Sequence, residues 1–128
     1  MIPILSRKLH GLLTDYPYVV LVFLAPTLVG FSDVAPAVLL CRVLPLAILG
    51  ASLLTRAEWG LIRVVPFKIH LLLDALVGLF ALLSPWLFGF SDHAAARNAL
   101  IVIGLFGIGA GLFSKPEEMP VRGAIPTS

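Results

Sequence analysis

Four ionisable side chains stand inside long apolar stretches of this sequence: Asp15, Arg42, His70 and Asp74. His70 and Asp74 are four residues apart, a spacing that places both on one face of a helix within hydrogen-bonding reach. A histidine–carboxylate pair of this kind can relay protons or orient a metal ligand. These four residues form the candidate polar site of the chain, and proton or ion handling is the chemistry that they suggest.

The composition determines the environment in which these groups act. Of 128 residues, 59% are hydrophobic and 12% are charged, whereas soluble domains are about 45–50% apolar and about 25% charged. A soluble domain of this size could not bury so much apolar surface. The nine Lys and Arg residues form no basic patch, which argues against nucleic-acid binding, and the single Cys41 excludes an intrachain disulfide.

Four apolar stretches are long enough to cross about 30 Å of hydrocarbon as helices. They cover residues 12–31, 34–54, 67–90 and 94–113. Because short corners separate the first from the second and the third from the fourth, each pair is predicted to form an antiparallel hairpin. The sequence therefore predicts an all-α membrane protein of four transmembrane helices, folded as a single domain over residues 1–128.

The chain also contains an internal repeat. A shift of 59 positions places residues 12–58 on residues 71–117 without a gap, with Asp15 on Asp74. Each repeat holds two spans, so the repeats are predicted to be parallel. Lys and Arg residues concentrate on the side of the termini, and the positive-inside rule predicts cytoplasmic termini in a cell inner membrane. The proline-containing tail, residues 115–128, is expected to be disordered.

The residues repeated at the two corners have a structural explanation. Gly30 and Gly89 are expected to adopt positive φ and to end the first helix of each hairpin. The serine and aspartate that follow each glycine are expected to cap the next helix. Prolines before the glycines should kink the helices, and a tryptophan should lie at the membrane interface. The remaining residues of this motif are Pro26, Ser32, Asp33, Pro85, Trp86, Ser91 and Asp92.

The second corner resembles a known family. Ser84-Pro85-Trp86, followed by Gly89-Phe90-Ser91-Asp92 and by Asn98 early in the last span, is similar to the SPW repeat family of bacterial and archaeal membrane proteins. The resemblance covers about residues 12–114, although the first copy reads Ala25-Pro26-Thr27. It implies two repeats of a helical hairpin in a membrane, and it carries no established activity.

Each residue of the candidate polar site also has a structural interpretation. Asp15 is expected to cap a helix or to pair with a surface cation, with residues 4–13 lying on the membrane surface. His10 is one step out of register with His70, so we expect no metal site, no haem and no other cofactor. Arg42 should point into the protein, towards carbonyl groups, a carboxylate or another subunit, because facing lipid would cost at least ~2.5 kcal/mol.

Small residues in the fourth span predict close helix packing. Gly104, Gly107 and Gly111 would let another helix approach, within the bundle or from a partner. The leading hypothesis is therefore a structural or accessory subunit, without catalytic activity, that binds other membrane proteins or itself. The rival hypothesis is a minimal transporter or proton- or ion-conducting bundle built on the candidate polar site.

Cysteine labelling tests the predicted topology. On a Cys41→Ala background, cysteines at Asp33 and Asp92 should react with an impermeant reagent applied from outside. Cysteines at Ala57 and Thr127 should react only after permeabilisation. Labelling of Asp33 and Asp92 from opposite sides would contradict the parallel repeats.

Overall fold

Four long helices make up the computed structural model, which describes residues 5–55, 57 and 60–116. The first span combines α1 (Arg7–His10), a π-helical turn (Gly11–Asp15) and α2 (Tyr16–Val29). The other three are α3 (Ala35–Leu54), α4 (Phe67–Leu87) and α5 (Ala94–Leu112). All four spans are long and apolar enough to cross a membrane. The chain is an all-α, multi-pass membrane protein, as predicted.

Most of the surface of each helix faces away from the protein. Only 33–39% of each span is buried inside the chain. Large apolar side chains such as Leu28, Leu39 and Val102 remain well over half exposed. These faces are suited to lipid, which accepts apolar side chains without cost. The buried core lies between the hairpins and includes Val22, Leu44, Ala81 and Leu100.

The first span differs from the prediction at its inner end. Helix begins at Arg7 and runs without a break into α2, so residues 7–13 belong to this helix and do not form a separate surface segment. Asp15 lies inside this helix and makes no capping hydrogen bond. The predicted disorder of the tail concerns residues 115–128, of which 117–128 lie outside the described residues.

Both glycine corners close as predicted, but the expected caps are wrong. Gly30 and Gly89 have φ of 87° and 74°. The N-cap residues are Val34, which has no capping side chain, and His93, whose side chain accepts a hydrogen bond from the N–H of Ala96. Main-chain turns close the corners, with the N–H groups of Val34 and His93 donating to Phe31 and Phe90. The N-cap residues therefore lie one residue beyond the serine–aspartate pairs.

At the opposite end of the bundle, which we call the base, two matching bridges tie the repeats together. Leu5 pairs with Ser114, and Val65 pairs with Thr55. The N–H of Leu5 donates to the carbonyl of Phe113 at 3.0 Å, and that of Val65 donates to the carbonyl of Leu54 at 2.7 Å. The segment that leads into the first hairpin is thereby held at the end of α5. The segment that leads into the second hairpin is held at the end of α3.

Helices α4 and α5 pack backbone against backbone through glycine. A Cβ atom added at Gly104 would lie 2.5 Å from the backbone nitrogen of Leu82, and one at Gly111 would lie 2.6 Å from the carbonyl oxygen of Leu71. At Gly107 it would lie 3.0 Å from the Cα of Gly78. The first hairpin has Pro45, Ile48 and Ser52 at the corresponding positions. The glycine face is therefore used inside the second hairpin.

Alanine substitutions test this close approach. Gly104→Ala should lower the thermal unfolding temperature in detergent, because overpacking costs about 1–3 kcal/mol and exceeds the ~1 kcal/mol gain in helix propensity. Gly50→Ala is the matched control, since nothing lies within 4 Å of its added Cβ, and it should be neutral or stabilising. Equal unfolding temperatures for the two variants would contradict the packing.

Candidate functional site

Two histidines and two aspartates meet near the base. They are His10 and Asp15 from the first repeat and His70 and Asp74 from the second, and all are at most 6% exposed. One potential ligand atom from each residue lies within 4.8 Å of the other three. We call these four residues the inner cluster. Three of them belong to the predicted polar site, and His10 is the one that the sequence prediction left out.

Each imidazole faces both carboxylates through its Nε2 atom. His10 Nε2 lies 3.0 Å from Asp15 Oδ1 and 2.8 Å from Asp74 Oδ2. His70 Nε2 lies 2.9 Å from Asp15 Oδ2 and 3.4 Å from Asp74 Oδ2. Each repeat therefore supplies one acid and one imidazole, and every carboxylate contacts an imidazole of the other repeat.

The other ring nitrogen of each histidine is bonded to a hydroxyl group of the opposite repeat. His10 Nδ1 lies 2.5 Å from Ser114 Oγ, and His70 Nδ1 lies 2.8 Å from Thr55 Oγ1. Both hydroxyls donate to main-chain carbonyls one turn earlier, those of Ala110 and Ala51. A hydroxyl has only one hydrogen to donate. Each Nδ1 must therefore be the donor, which aims Nε2 at the carboxylates. His10 Nε2 is itself hydrogen-bonded to Asp74 Oδ2 at 2.8 Å, and since a carboxylate oxygen accepts, this nitrogen donates as well.

The π-helical turn brings His10 into register. His10 and Asp15 are separated by one residue more than His70 and Asp74. Without the turn, the extra residue would rotate His10 about 100° away from the inner cluster. A π-helical turn absorbs one residue, and such turns are frequent at functional sites. The hydroxyl of Thr14 donates to the carbonyl of His10 across this turn.

A signal for His10 is present in the sequence. Lys8-Leu9-His10 matches Lys68-Ile69-His70 when the shift is 60 rather than 59 positions. The two base bridges show the same change of shift. Leu5 and Val65, which precede the hairpins, are 60 positions apart, whereas Thr55 and Ser114, which follow them, are 59 positions apart. The gap-free alignment hid this match, and the prediction that His10 stands out of register is wrong.

Arg42 does not join the inner cluster. Its guanidinium carbon lies 4.4 Å from the centre of the Phe23 ring, and its Nη1 is buried without a hydrogen-bond partner. A cation over an aromatic face is an attractive contact. Arg42 therefore points into the protein, as predicted, but it packs against the neighbouring helix α2, and its Nη1 makes no hydrogen bond to the expected carbonyl or carboxylate. Its contact with another subunit stays a prediction.

Small cavities flank the inner cluster on both sides. One of about 10 Å³ lies above it, away from the base, and is lined by Thr14, Asp15, Tyr18, Asp74 and Phe106 among others. A second of about 10 Å³ lies towards the base and touches Gly11, Asp15, Thr55 and Phe67. Each has room for about one water molecule. The inner cluster is thus buried, with space for single waters next to its carboxylates.

An open apolar groove lies beyond the upper cavity. It runs between α2 and α5, has a volume of about 690 Å³ and is lined by residues from Leu13 to Val29 and from Ala95 to Phe106. Tyr18 and Phe106 line both this groove and the upper cavity. Their rings stack, with centroids 5.5 Å apart. The stacked pair therefore separates the groove from the space beside the carboxylates.

Fold and inner cluster together define a membrane protein of two parallel hairpin repeats that share a buried polar site. The family model for the SPW repeat domain matches residues 13–114. The chain belongs to the SPW repeat family, as the Ser84-Pro85-Trp86 signature indicated. No curated protein and no solved structure matches it.

Deleting one residue tests the role of the π-helical turn. Removing Leu12, which is 47% exposed, should convert the turn to α-helix and keep His10 four residues before the aspartate, as in the second repeat. Removing Leu72 should rotate His70 out of the inner cluster and leave buried charges without partners, at a cost of about 3–5 kcal/mol. Thermal unfolding in detergent measures both. A Leu12 deletion as damaging as the Leu72 deletion would contradict this account.

Proposed function

We propose that this protein is a minimal, non-enzymatic cation transporter whose binding site is the inner cluster. The carrying observation is the convergence of four buried ionisable side chains from both repeats within an apolar bundle. Ionisable groups inside a membrane are costly to keep and mark ion pathways, proton relays and ligand sites. In many transporters built from repeats, the substrate binds where the repeats meet.

The packing of the bundle supports relative movement of the two hairpins. Helices α4 and α5 hold each other through glycine, so the second hairpin should move as a unit. The groove between α2 and α5 leaves the hairpins loosely joined on one side. Displacement of the Tyr18–Phe106 stack would connect the upper cavity with this groove.

The proposal includes an orientation. We propose that the base faces the cytoplasm of a cell whose inner membrane holds the protein. Arg7, Lys68 and Lys115 lie at the base, whereas Arg97 lies near the corners, and this distribution is typical of cytoplasmic ends. The inner cluster would then receive its cation from the cytoplasmic side.

Uptake into liposomes tests the transport function. Protein reconstituted in liposomes should accumulate a cation, with protons, sodium, potassium and zinc followed by separate dyes. Asp74→Asn should slow uptake by about tenfold or more, because a lost contact to a charged group costs about 1.5–3 kcal/mol and each 1.4 kcal/mol is a factor of ten.

Asp92→Asn is the matched control. It makes the same chemical change at an exposed aspartate of the second corner, and uptake should equal that of the unaltered protein. Gel filtration and circular dichroism establish that both variants fold. Uptake that survives Asp74→Asn undiminished would remove the inner cluster from the transport function.

A second candidate function is that of an accessory subunit, and the apolar groove favours it. A helix of another membrane protein would find large apolar side chains there, such as Leu21, Leu28 and Val102. The glycine face that first suggested this role is used within the chain. A native mass equal to one chain under every gentle detergent condition, together with uptake by the purified protein, would count against the accessory role.

A further inference from the structure

We propose that the inner cluster binds one divalent transition-metal ion of the zinc class, with His10 Nε2, His70 Nε2 and one oxygen each of Asp15 and Asp74 as ligands. This inference deepens the proposed function and rests on its assignment of the inner cluster as a cation site. It names the class of cation.

The donor atoms indicate the class of metal. Imidazole nitrogen is a preferred ligand of zinc, iron, copper and nickel, whereas calcium and magnesium are bound by oxygen. Two carboxylates carry two negative charges, and each imidazole carries none once its Nε2 has released its proton and binds the metal. A divalent ion would therefore make the site electrically neutral, which matters because uncompensated charge in a low-dielectric interior is costly. A monovalent ion would leave one negative charge buried.

The spacing of the donors fits a tetrahedral ion. Ligands about 2.0–2.1 Å from zinc at tetrahedral angles lie about 3.3 Å from one another. The four contacts between Nε2 atoms and carboxylate oxygens, which use both oxygens of Asp15 and Oδ2 of Asp74, measure 2.8–3.4 Å. All four donor atoms fall within 4.8 Å of one another. Small side-chain shifts would place one oxygen and one nitrogen from each repeat around a common centre.

His70 supplies an independent observation that points to a ligand. This side chain is 1% exposed, and its Nε2 has no hydrogen-bond partner. Its contact with Asp15 Oδ2, 2.9 Å away, is an ion-pair contact. A buried nitrogen that is left without a hydrogen bond is costly. A metal ion at the centre of the inner cluster would satisfy it.

The hydroxyl groups complete the arrangement that metal-binding histidines require. A histidine that ligates a metal through Nε2 usually donates its other N–H to a fixed acceptor, which sets the ring orientation. Ser114 and Thr55 are these acceptors, and each is fixed in turn by its own bond to a main-chain carbonyl. Phe67, which is 1% exposed, packs edge-on against the His10 ring at 5.4 Å. Both imidazoles are thus oriented before any ion arrives.

Metal titration of the purified, full-length protein tests this inference. After treatment with a chelator, the protein in detergent should bind one Zn²⁺ per chain in competition with a chromophoric chelator. Mg²⁺ and Ca²⁺ should not compete. Co²⁺ in place of Zn²⁺ should give the intense visible absorption of a tetrahedral site.

Variants distinguish this site from adventitious binding. Ser114→Ala should weaken Zn²⁺ binding by about 10–100-fold, because it removes only the hydroxyl that orients His10. Asp74→Asn should weaken binding further. His93→Gln is the control, since it alters a histidine at the corner end of the bundle, and Zn²⁺ affinity should be unchanged. If Asp74→Asn fails to fold, Ser114→Ala and the Co²⁺ spectrum still decide the question.

The results separate the two proposals. No bound Zn²⁺, an octahedral Co²⁺ spectrum or Zn²⁺ affinity indifferent to Ser114→Ala would overturn the metal site. Uptake of another cation that still depends on Asp74 would then leave transport in place. Zn²⁺ bound tightly by the inner cluster, without uptake of any cation into liposomes, would overturn transport and leave the metal site standing.

Discussion

The contact between two buried carboxylates and two imidazoles governs the rest of this structure. Asp15 and Asp74 lie close together in an apolar bundle, where an isolated charge would be far more costly than in water. Each is tolerated because both imidazoles face it at 2.8–3.4 Å. Neither repeat can provide this environment alone. The two hairpins are therefore joined at the base by polar contacts, while their outer faces remain free for lipid.

The base bridges and the hydroxyl contacts serve the same end. Main-chain bridges join Leu5 to Ser114 and Val65 to Thr55. They fix the hydroxyl groups of Ser114 and Thr55 next to the histidines from which these hydroxyls accept hydrogen bonds. Such a site is positioned by backbone hydrogen bonds and short side chains. It does not depend on long flexible residues, which lose more conformational entropy when they are fixed.

The sequence was sufficient to predict the fold because lipid imposes a simple rule. Long apolar segments must be helices, and short glycine corners must make hairpins. The helical register of His10 in the first span was harder to predict. A π-helical turn has no strong sequence signature, and it moved His10 from an apparent surface position into the inner cluster. Contacts across repeats were also hidden, since nothing in the spacing links Ser114 to His10.

The candidate polar site was therefore only partly predictable. Asp15, His70 and Asp74 stood out as charges within apolar spans, and they do come together. Arg42 stood out for the same reason but packs on Phe23 in its own hairpin. A hydropathy argument identifies charges that need partners without saying which partner each will find. Aromatic rings, which apolar composition supplies in abundance, are partners that such an argument overlooks.

The crossed pairing of histidine and hydroxyl bears on the ancestry of the fold. The second half of the chain supplies His70, Asp74 and Ser114. Its His70 nevertheless contacts the hydroxyl of Thr55 in the first half and the carboxylates of both halves. Two copies of such a half-length hairpin, facing each other across a twofold axis, would form the complete site as a homodimer. Fusion of the two genes would then have freed each half to diverge. The extra residue near His10 and the glycine packing of the second hairpin are differences between the halves, which two copies of one gene product could not show.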